Sequence, residues 1–286
     1  MRTIGLIYKR NNPASTGAAG RVVDWLAERG AETLLTPGQR HTLGKGTAVD
    51  EPELGRRSDF VVTLGGDGTL LHAAGILRED PVPILGVNMG RLGFLTPFAE
   101  DELEVALAAA FEGELEIQQR MRLEVRLCRS GSEEVAGIAM NDAVISQGAM
   151  ARLLELEARQ NGQLITTYRA DGLIVCTPTG STAYNMSAGG PLLTPGLAAI
   201  CVTPICPHTL TNRSLVMPAE CVITVQIVDT GDKPYLTIDG QRGYILNADD
   251  VVSIARAEAA LPLYQAPSVD IFELMRSKLR WSGSAG

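Results

Sequence analysis

A glycine-rich segment with one central carboxylate is the sharpest chemical feature of this 286-residue sequence. It reads Gly65-Gly66-Asp67-Gly68-Thr69, and its paired glycines end the strand-like run 59–66. Glycines at the end of a strand let backbone N–H groups approach a phosphate closely, and Asp67 would then lie beside the reacting centre. The structural alternative is a tight turn between a strand and a helix, with Asp67 as the helix N-cap.

This segment differs from both common phosphate-binding loops. A Walker loop needs a lysine after the last glycine, where this chain has Thr69. The dinucleotide fingerprint needs a third glycine, where this chain has Leu71. The segment alone therefore does not identify the type of phosphate-binding site, and the other motifs of the chain are needed to do so.

A run of hydroxyl-bearing and small residues is the second chemical feature. It follows a predicted strand after Asp171 and extends from Thr177 to Pro191. Its side chains can offer several hydrogen bonds to ribose and phosphate oxygens, whereas a structural Ser/Thr-rich turn explains its length poorly. The sequence therefore favours a binding segment here.

Three smaller polar signals have ordinary structural explanations when each is taken alone. Asn141-Asp142 can bind hydroxyls or an amide edge, or can form a simple turn. Asp239-Gly240-Gln241 is most often a hairpin turn. Arg152 and Arg169 flank a predicted hairpin at Asn161-Gly162, so strand pairing would bring them near each other, unless they lie on a solvated sheet face.

Apolar periodicity predicts the elements that position these residues. Up to residue 118, strands over 3–8 and 82–88 and a helix over 18–30 predict an α/β, Rossmann-like nucleotide domain with ligand-binding loops at the strand ends. Short alternating segments such as 137–146 predict a β-rich, sandwich-like domain over 119–265. The C-terminal stretch 266–286 predicts a capped amphipathic helix that packs back onto the first domain.

Charge and cysteine content narrow the class of protein. The formal net charge is −8 and no long Lys/Arg run is present, which argues against a nucleic-acid partner. The five cysteines form no CxxC pair, and the spacing of Cys201, Cys206 and His208 does not suit zinc, so we expect reduced thiols and no protein-held metal. No signal peptide is visible and no window approaches about 18 apolar residues, so we expect a cytoplasmic protein without a membrane partner.

The polar motifs follow one another in a defined order, which is GGDGT at 65–69, GVNMGRLGFLT at 86–96, Asn141-Asp142, DGLIVCTPTGSTAYNMSAGGP at 171–191, TPICPHTL at 203–210 and Asp239-Gly240-Gln241. In this order they resemble the bacterial NAD kinase family (ATP-NAD kinases) over nearly the whole chain. The segment 171–191 is highly specific to that family. The GGDG signature is shared with diacylglycerol-type lipid kinases and, in similar form, with 6-phosphofructokinases.

The resemblance implies a reaction and its participants. ATP would phosphorylate the 2′-hydroxyl of the adenosine ribose of NAD, giving NADP, and subunits would assemble into homodimers or homotetramers. A ribose hydroxyl is a poor nucleophile at neutral pH, so a carboxylate must accept its proton, and Asp67 is the candidate for this catalytic base. A divalent cation, expected to be Mg²⁺, would accompany the ATP phosphates.

The resemblance also implies which residues contact the dinucleotide. Phe94 would pack near the adenine, Asp171 would bind the nicotinamide end, and segment 182–187 would bind the adenosine half. The full set of implied contact residues is Gly68, His72, Phe94, Asn141, Asp142, Arg152, Arg169, Asp171, Thr182, Ala183, Tyr184, Ser187 and Gln241.

The chain departs from the family pattern at three positions. Asp142 stands where many relatives have Glu, and Cys176 stands where many have Ser or Ala, and both changes are conservative. Met89 lies in a loop that is polar or basic in some relatives, so no phosphate contact is predicted there.

Three other kinds of protein share parts of the pattern. A lipid kinase with the same GGDG loop would need a basic or amphipathic membrane-facing surface, which this acidic chain does not show. A non-catalytic dinucleotide sensor or an NAD-dependent oxidoreductase would need no carboxylate inside residues 65–69, here termed the glycine turn.

Overall fold

The computed structural model describes residues 1–148, 153–229, 233–267 and 269–281, and the chain divides into two units. The first unit takes residues 1–119 together with the chain from Pro262 onward, and the second takes residues 120–261. Each unit has its own apolar core.

Strands occur in both units, whereas the long helices belong to the first. The strands are β1 (Thr3–Tyr8), β2 (Glu32–Leu35), β3 (Thr47–Ala48), β4 (Phe60–Gly65), β5 (Ile84–Asn88), β6 (Phe98–Ala99), β7 (Ile117–Arg120), β8 (Leu123–Arg129), β9 (Ser132–Ala139), β10 (Asp142–Ser146), β11 (Leu154–Gln160), β12 (Gln163–Ala170), β13 (Gly172–Cys176), β14 (Ala199–Ile205), β15 (Leu215–Pro218), β16 (Ile223–Asp229), β17 (Tyr235–Ile238), β18 (Arg242–Ile245), β19 (Val251–Arg256) and β20 (Leu261–Tyr264). The helices are α1 (Pro13–Glu28), α2 (Pro37–Leu43), α3 (Glu51–Arg57), α4 (Asp67–Ile76), α5 (Leu103–Glu112), α6 (Tyr184–Ser187) and α7 (Ile271–Leu279), with 3-10 turns at Glu100–Glu102 and Thr179–Thr182. Within the described residues, no helix combines the length and the apolar character needed to cross a bilayer.

A largely parallel sheet forms the centre of the first unit, in the order β3-β2-β1-β4-β5-β20-β7, with β6 paired to β5. Its strands β1, β4 and β5 are buried on both faces. Their near-continuous runs of Val, Ile and Leu are typical of strands in such a position. Helices α1 and α5 cover one face through a core cluster that includes Leu6, Val62 and Leu107. On the other face, Gly5 brings the sheet close to Leu54 of α3.

The order of strands reverses between β1 and β4, because β1 is followed by β2 on one side while β4 is followed by β5 on the other. The loop 9–12 follows β1 and Gly66 follows β4 at the carboxyl ends of these two strands, and Lys9 N donates to Leu64 O over 3.0 Å. Open α/β sheets bind ligands in the crevice at such a reversal. The glycine turn therefore lies at the edge of the sheet where this fold places a ligand.

Helix α1 begins at Pro13, so the start predicted at residue 18 was wrong. Asn12 caps the helix by accepting a hydrogen bond from Ser15 N over 3.1 Å, and a proline suits the first helical position. The cap predicted for the C-terminal helix is confirmed, since Asp270 Oδ1 accepts a hydrogen bond from Phe272 N over 2.9 Å.

Two antiparallel sheets form the second unit, in the orders β12-β11-β16-β19-β8-β9 and β15-β14-β13-β10-β17-β18. Alternate residues of both sheets enter one shared core, among them Leu123 and Val125 of β8 and Ile145 of β10. The predicted fold class, an α/β domain followed by a β-rich domain, is confirmed. The predicted hairpin is also confirmed, since Asn161-Gly162 joins β11 to β12 with both residues at positive φ.

The alternating segment 137–146 contributes to two strands, which are separated at Met140 and Asn141. β9 ends before this point in one sheet, and β10 begins after it in the other. The chain crosses between the sheets here, so the apolar pattern continues while the pairing partners change. The crossing brings Asn141 and Asp142 beside the carboxyl end of β13.

Candidate functional site

Asp67 is the first residue of α4, and Gly66 is the N-cap, so the alternative in which Asp67 caps the helix was wrong. The Asp67 carboxylate instead accepts hydrogen bonds from Phe94 N (2.9 Å), Leu95 N (3.0 Å) and Thr96 Oγ1 (3.0 Å). Asp67 and Phe94 are both half-buried. The glycine turn and the loop after β5 thus meet at one carboxylate.

The glycines around Asp67 give room for the turn and for a ligand. A Cβ at Gly65 would overlap the Thr69 hydroxyl, so β4 can pass into α4 only without a side chain there. Gly68 is exposed, and a Cβ at this position would meet no atom within 4 Å. His72 is exposed one turn further along α4. Because the first N–H groups of a helix have no partner within it, this end of α4 suits an anion.

Asp239 organises a second group of polar residues, in the second unit. Its Oδ2 accepts a hydrogen bond from Met140 N over 2.8 Å, and its Oδ1 accepts from Asn141 N and Asp142 N over 2.8 and 3.0 Å. The hairpin turn predicted at 239–241 is confirmed, since it joins β17 to β18. The role of the Asp239 carboxylate was missed, because its only signal in the sequence is an Asp-Gly pair typical of a turn. In the structure Asp239 has a φ of 51°, as such a turn requires.

Asn141 has a buried side-chain oxygen, Oδ1, with no hydrogen-bond partner among the described residues. The backbone around it is held firmly, because Thr177 N donates to Asn141 O over 2.8 Å and Thr177 Oγ1 donates to Met140 O over 2.7 Å. A Cβ at Gly180 would overlap the Asn141 carbonyl, so segment 177–180 packs directly against it. Buried polar atoms normally have partners, so this oxygen marks a place for a donor from a ligand.

Asp142 lies close to the same Asp239 carboxylate and has an altered proton affinity. Burial, and secondarily the charge of Asp239, raises the pKa of Asp142 from 3.8 to about 7. Burial also raises the pKa of Asp239, while its three backbone N–H donors oppose that rise. At neutral pH the Asp142 carboxyl therefore exists in both forms, and it can donate or accept a hydrogen bond.

The hydroxyl-rich segment divides into residues that hold the fold and residues that remain accessible. Ser181 Oγ donates to Pro178 O over 2.6 Å and accepts from Leu193 N over 2.9 Å. Asn185 Oδ1, which is fully buried, accepts from Thr203 Oγ1 over 2.6 Å. The predicted contact residues are half-buried at Thr182 and Ala183 and exposed at Tyr184 and Ser187.

The other described residues of the second unit that were predicted to contact the dinucleotide lie at the ends of strands and in turns. Asp171 is half-buried immediately before β13, and Gln241 is exposed in the turn between β17 and β18. Arg169 is exposed and forms an ion pair with Glu155 over 3.0 Å. Arg152 lies outside the described residues, so its predicted proximity to Arg169 stays a prediction.

Acidic, histidine and cysteine side chains form no group of three or more that could hold a metal ion in the part of the chain that the structure describes. All five cysteines are free thiols. Cys201 is buried in the second unit, whereas Cys206 is exposed, so these two residues of the zinc alternative do not share an environment.

A cleft of about 470 Å³ in the first unit lies beside α7 and contains none of the predicted site residues. Its lining includes Arg91, Leu92, Leu274 and Lys278. Arg91 and Leu92 directly precede the loop that contacts Asp67. The cleft is therefore adjacent to that loop but separate from the carboxylate.

Both halves of the chain are similar to proteins of known activity. Family models described as the ATP-NAD kinase N-terminal domain and the ATP-NAD kinase C-terminal domain match residues 4–115 and 140–266. An NAD kinase of Geotalea daltonii is 41% identical over 281 residues, covering 98% of this chain and 99% of the relative. An NAD kinase of Citrifermentans bemidjiense is 43% identical over 287 residues, with the same coverage of 98% and 99%.

Solved structures show the same similarity in three dimensions. Yeast NADH kinase complexed with NADH matches with a TM-score of 0.92 and 26% identity, covering 100% of this chain and 89% of that one. An NAD kinase from Archaeoglobus fulgidus in complex with ATP matches with a TM-score of 0.78 and 28% identity, covering 99% of this chain and 100% of that one.

Proposed function

The chain belongs to the ATP-NAD kinase family and converts NAD to NADP with ATP, and we propose that Asp67 is the base of this phosphoryl transfer. Its carboxylate accepts the proton of the ribose 2′-hydroxyl while that oxygen bonds to the γ-phosphorus and the bond from that phosphorus to ADP breaks. We base this role on one observation, which is that a carboxylate stands in the glycine turn at the carboxyl end of β4, where the strand order reverses. A well-placed general base contributes about 10²–10⁴ in rate.

We propose that the ATP phosphates bind at the amino-terminal ends of α1 and α4. The loop 9–12 precedes α1, and Gly66 precedes α4, at the same edge of the sheet. Helix N-termini attract anions, and the open space at Gly68 admits an approaching phosphate. The Archaeoglobus fulgidus relative, which is in complex with ATP, supports nucleotide binding by this fold.

Mg²⁺ is the divalent cation that we propose for the reaction, and it enters with ATP. The described residues offer no cluster of acidic, histidine or cysteine side chains that fits a resident metal. A cation that keeps several waters and binds mainly through substrate phosphates needs no such cluster, and it offsets the charge of those phosphates.

The dinucleotide is proposed to bind through the polar residues of the second unit. Asn141 supplies an unpaired buried acceptor, and Asp142 supplies a carboxyl that titrates near neutral pH. Asp171 binds the nicotinamide end, and residues 182–187 bind the adenosine half. The further proposed contacts are Gly68, His72, Phe94, Arg169 and Gln241, together with Arg152, which lies outside the described residues.

Domain roles, location and assembly belong to the same proposal. Residues 1–118 with the C-terminal helix act as the nucleotide-binding domain, and residues 119–265 act as the NAD-binding domain. The free thiols support a cytoplasmic location.

We propose a homodimer or homotetramer, and exposed apolar residues such as Leu210 and Val216 support association of subunits. Sedimentation analysis of the purified chain tests this state.

The experiment that tests the proposal incubates the protein with ATP, Mg²⁺ and NAD and detects NADP with a dehydrogenase specific for it. We expect turnover in the parent and a kcat at least about 100-fold lower in Asp67→Asn, because an amide cannot accept the proton. Asp50→Asn is the matched control, since Asp50 caps α3 and asparagine caps helices equally well. Full activity of Asp67→Asn would exclude Asp67 as the base.

A further inference from the structure

The residues Gly93–Thr96, here termed the carboxylate loop, orient the two oxygens of Asp67 differently. Oδ1 accepts hydrogen bonds from Leu95 N and Thr96 Oγ1, each over 3.0 Å, whereas Oδ2 accepts from Phe94 N over 2.9 Å. A carboxylate offers about four acceptor sites, shared equally by its oxygens. The described contacts therefore saturate Oδ1 and leave one acceptor site on Oδ2.

Asn88 fixes the direction of the Thr96 hydroxyl. Asn88 Nδ2 donates to Thr96 Oγ1 over 2.7 Å, so the Thr96 hydroxyl proton is left to point at Asp67 Oδ1. Thr96 is fully buried and Asn88 is only 5% exposed, so solvent does not compete for these hydrogen bonds. The two hydrogen bonds therefore donate in one direction, from Asn88 to Thr96 and from Thr96 to Asp67.

Gly93 closes the remaining side of the carboxylate. A Cβ built at this position would overlap Asp67 Oδ1 and crowd Thr96 Oγ1. The backbone of Gly93 is not in the left-handed region, so its conformation alone would accept alanine. The absence of a side chain is required by the Asp67 carboxylate itself.

We infer that Asn88, Gly93 and Thr96 are positioning residues that hold Asp67 with Oδ2 facing the acceptor hydroxyl, an inference that rests on the proposed role of Asp67 as the base. The hydroxyl O–H bond breaks and its proton moves to Oδ2. The hydroxyl oxygen bonds to the γ-phosphorus, and the bond from that phosphorus to ADP breaks. Misplacement of a reacting group by about 1 Å can cost about 10² in rate, so a rotating carboxylate would be a poorer base.

Thr96→Val tests the inference, with Thr96→Ser as the conservative partner. Valine keeps the volume of threonine but removes the donor, so we expect kcat to fall at least about tenfold while KM for NAD and for ATP stays within about twofold. Serine keeps the donor and should give near-parental kcat. Unfolding curves verify that both variants fold. Parental kcat in Thr96→Val would overturn the inference, as would failure of Thr96→Ser to restore it.

Gly93→Ala provides a second test, with Gly90→Ala as the matched control in the same connection between β5 and β6. A Cβ at Gly90 would meet Asn88 Oδ1 at 3.7 Å, which is an ordinary contact, and should leave kcat unchanged. The methyl group at residue 93 should displace the carboxylate and lower kcat by at least about tenfold. Equal losses in the two variants would assign the effect to the connection between β5 and β6 as a whole and overturn the inference.

Combining Thr96→Val with Asp67→Asn separates this inference from the proposed function. If Thr96 acts through Asp67, removing its hydroxyl should no longer lower the residual turnover of Asp67→Asn. An equal loss in both backgrounds would overturn the positioning role and leave the base role intact. Full activity of Asp67→Asn alone would instead overturn the proposed function.

Discussion

Asp239 Oδ1 accepts a hydrogen bond from the backbone N–H of Asn141 over 2.8 Å, although 98 residues separate the two in the chain. The same carboxylate binds the N–H groups of Met140 and Asp142, at the point where the chain crosses between the two sheets of the second unit. This contact fixes the backbone beneath Asn141 Oδ1, the buried oxygen that we assign to the dinucleotide.

Asp239→Asn should therefore destabilise the protein. The amide nitrogen would face a backbone donor in place of an oxygen, and hydrogen bonds to a charged group contribute about 1.5–3 kcal/mol. We expect the free energy of unfolding to fall by about 2 kcal/mol in a denaturant titration. Asp249→Asn is the control, because Asp249 is exposed and also has a positive φ of 66°. Equal stability of the two variants would contradict this role of Asp239.

Asn141→Ala should weaken NAD binding without weakening the fold. Removing an unpaired buried oxygen relieves a desolvation cost, so we expect the free energy of unfolding to stay within about 1 kcal/mol of the parent. Loss of a hydrogen bond to the dinucleotide should raise the KM for NAD about tenfold. Asn185→Ala should instead lower the free energy of unfolding, because the buried amide oxygen of Asn185 accepts a hydrogen bond that the substitution would remove. An unchanged KM for NAD in Asn141→Ala would remove Asn141 from the binding site.

The stability of the protein should depend on pH through Asp142. A carboxyl whose pKa is higher in the folded chain favours folding while it is protonated. That contribution is fully present below the ordinary pKa of 3.8 and is lost as the pH rises through about 7. We expect the melting temperature of the parent, relative to Asp142→Asn, to fall across this interval. If the melting temperatures of the two proteins changed with pH in the same way, Asp142 would not titrate as stated.

Gly180→Ala should disturb the contact between segment 177–180 and the Asn141 backbone. A Cβ here would overlap the Asn141 carbonyl, and overpacking of this kind costs about 1–3 kcal/mol. We expect a lower free energy of unfolding and a higher KM for NAD. Gly20→Ala is the matched control, because nothing lies within 4 Å of a Cβ there and alanine in the middle of α1 should stabilise the helix by up to about 1 kcal/mol. Similar effects at both glycines would refute a specific contact at Gly180.

Chelation of divalent cations should abolish turnover and leave the fold intact. The proposed Mg²⁺ binds through the ATP phosphates, and the described residues form no metal-binding cluster. We expect EDTA to stop NADP formation while the melting temperature without ATP stays constant. A lower melting temperature in EDTA would reveal a structural ion and contradict this view.

The sequence by itself determined the elements whose signals are local. The Asn161-Gly162 hairpin and the strand before the hydroxyl-rich segment follow from residues adjacent in the chain, because turn conformation and side-chain alternation depend on near neighbours. The start of α1 was missed, although its Asn12 cap and Pro13 are also local signals, because its first residues, 13–17, include no large apolar side chain.

Only the tertiary structure decided which distant segments share a carboxylate. Asp67 meets the loop after β5, and Asp239 meets the crossing at residues 140–142, because the sheets bring these segments together. The unpaired state of Asn141 Oδ1 likewise depends on burial by other strands. The sequence thus names the groups that do chemistry, whereas their orientation and hydrogen-bond partners depend on packing between segments that no local pattern describes.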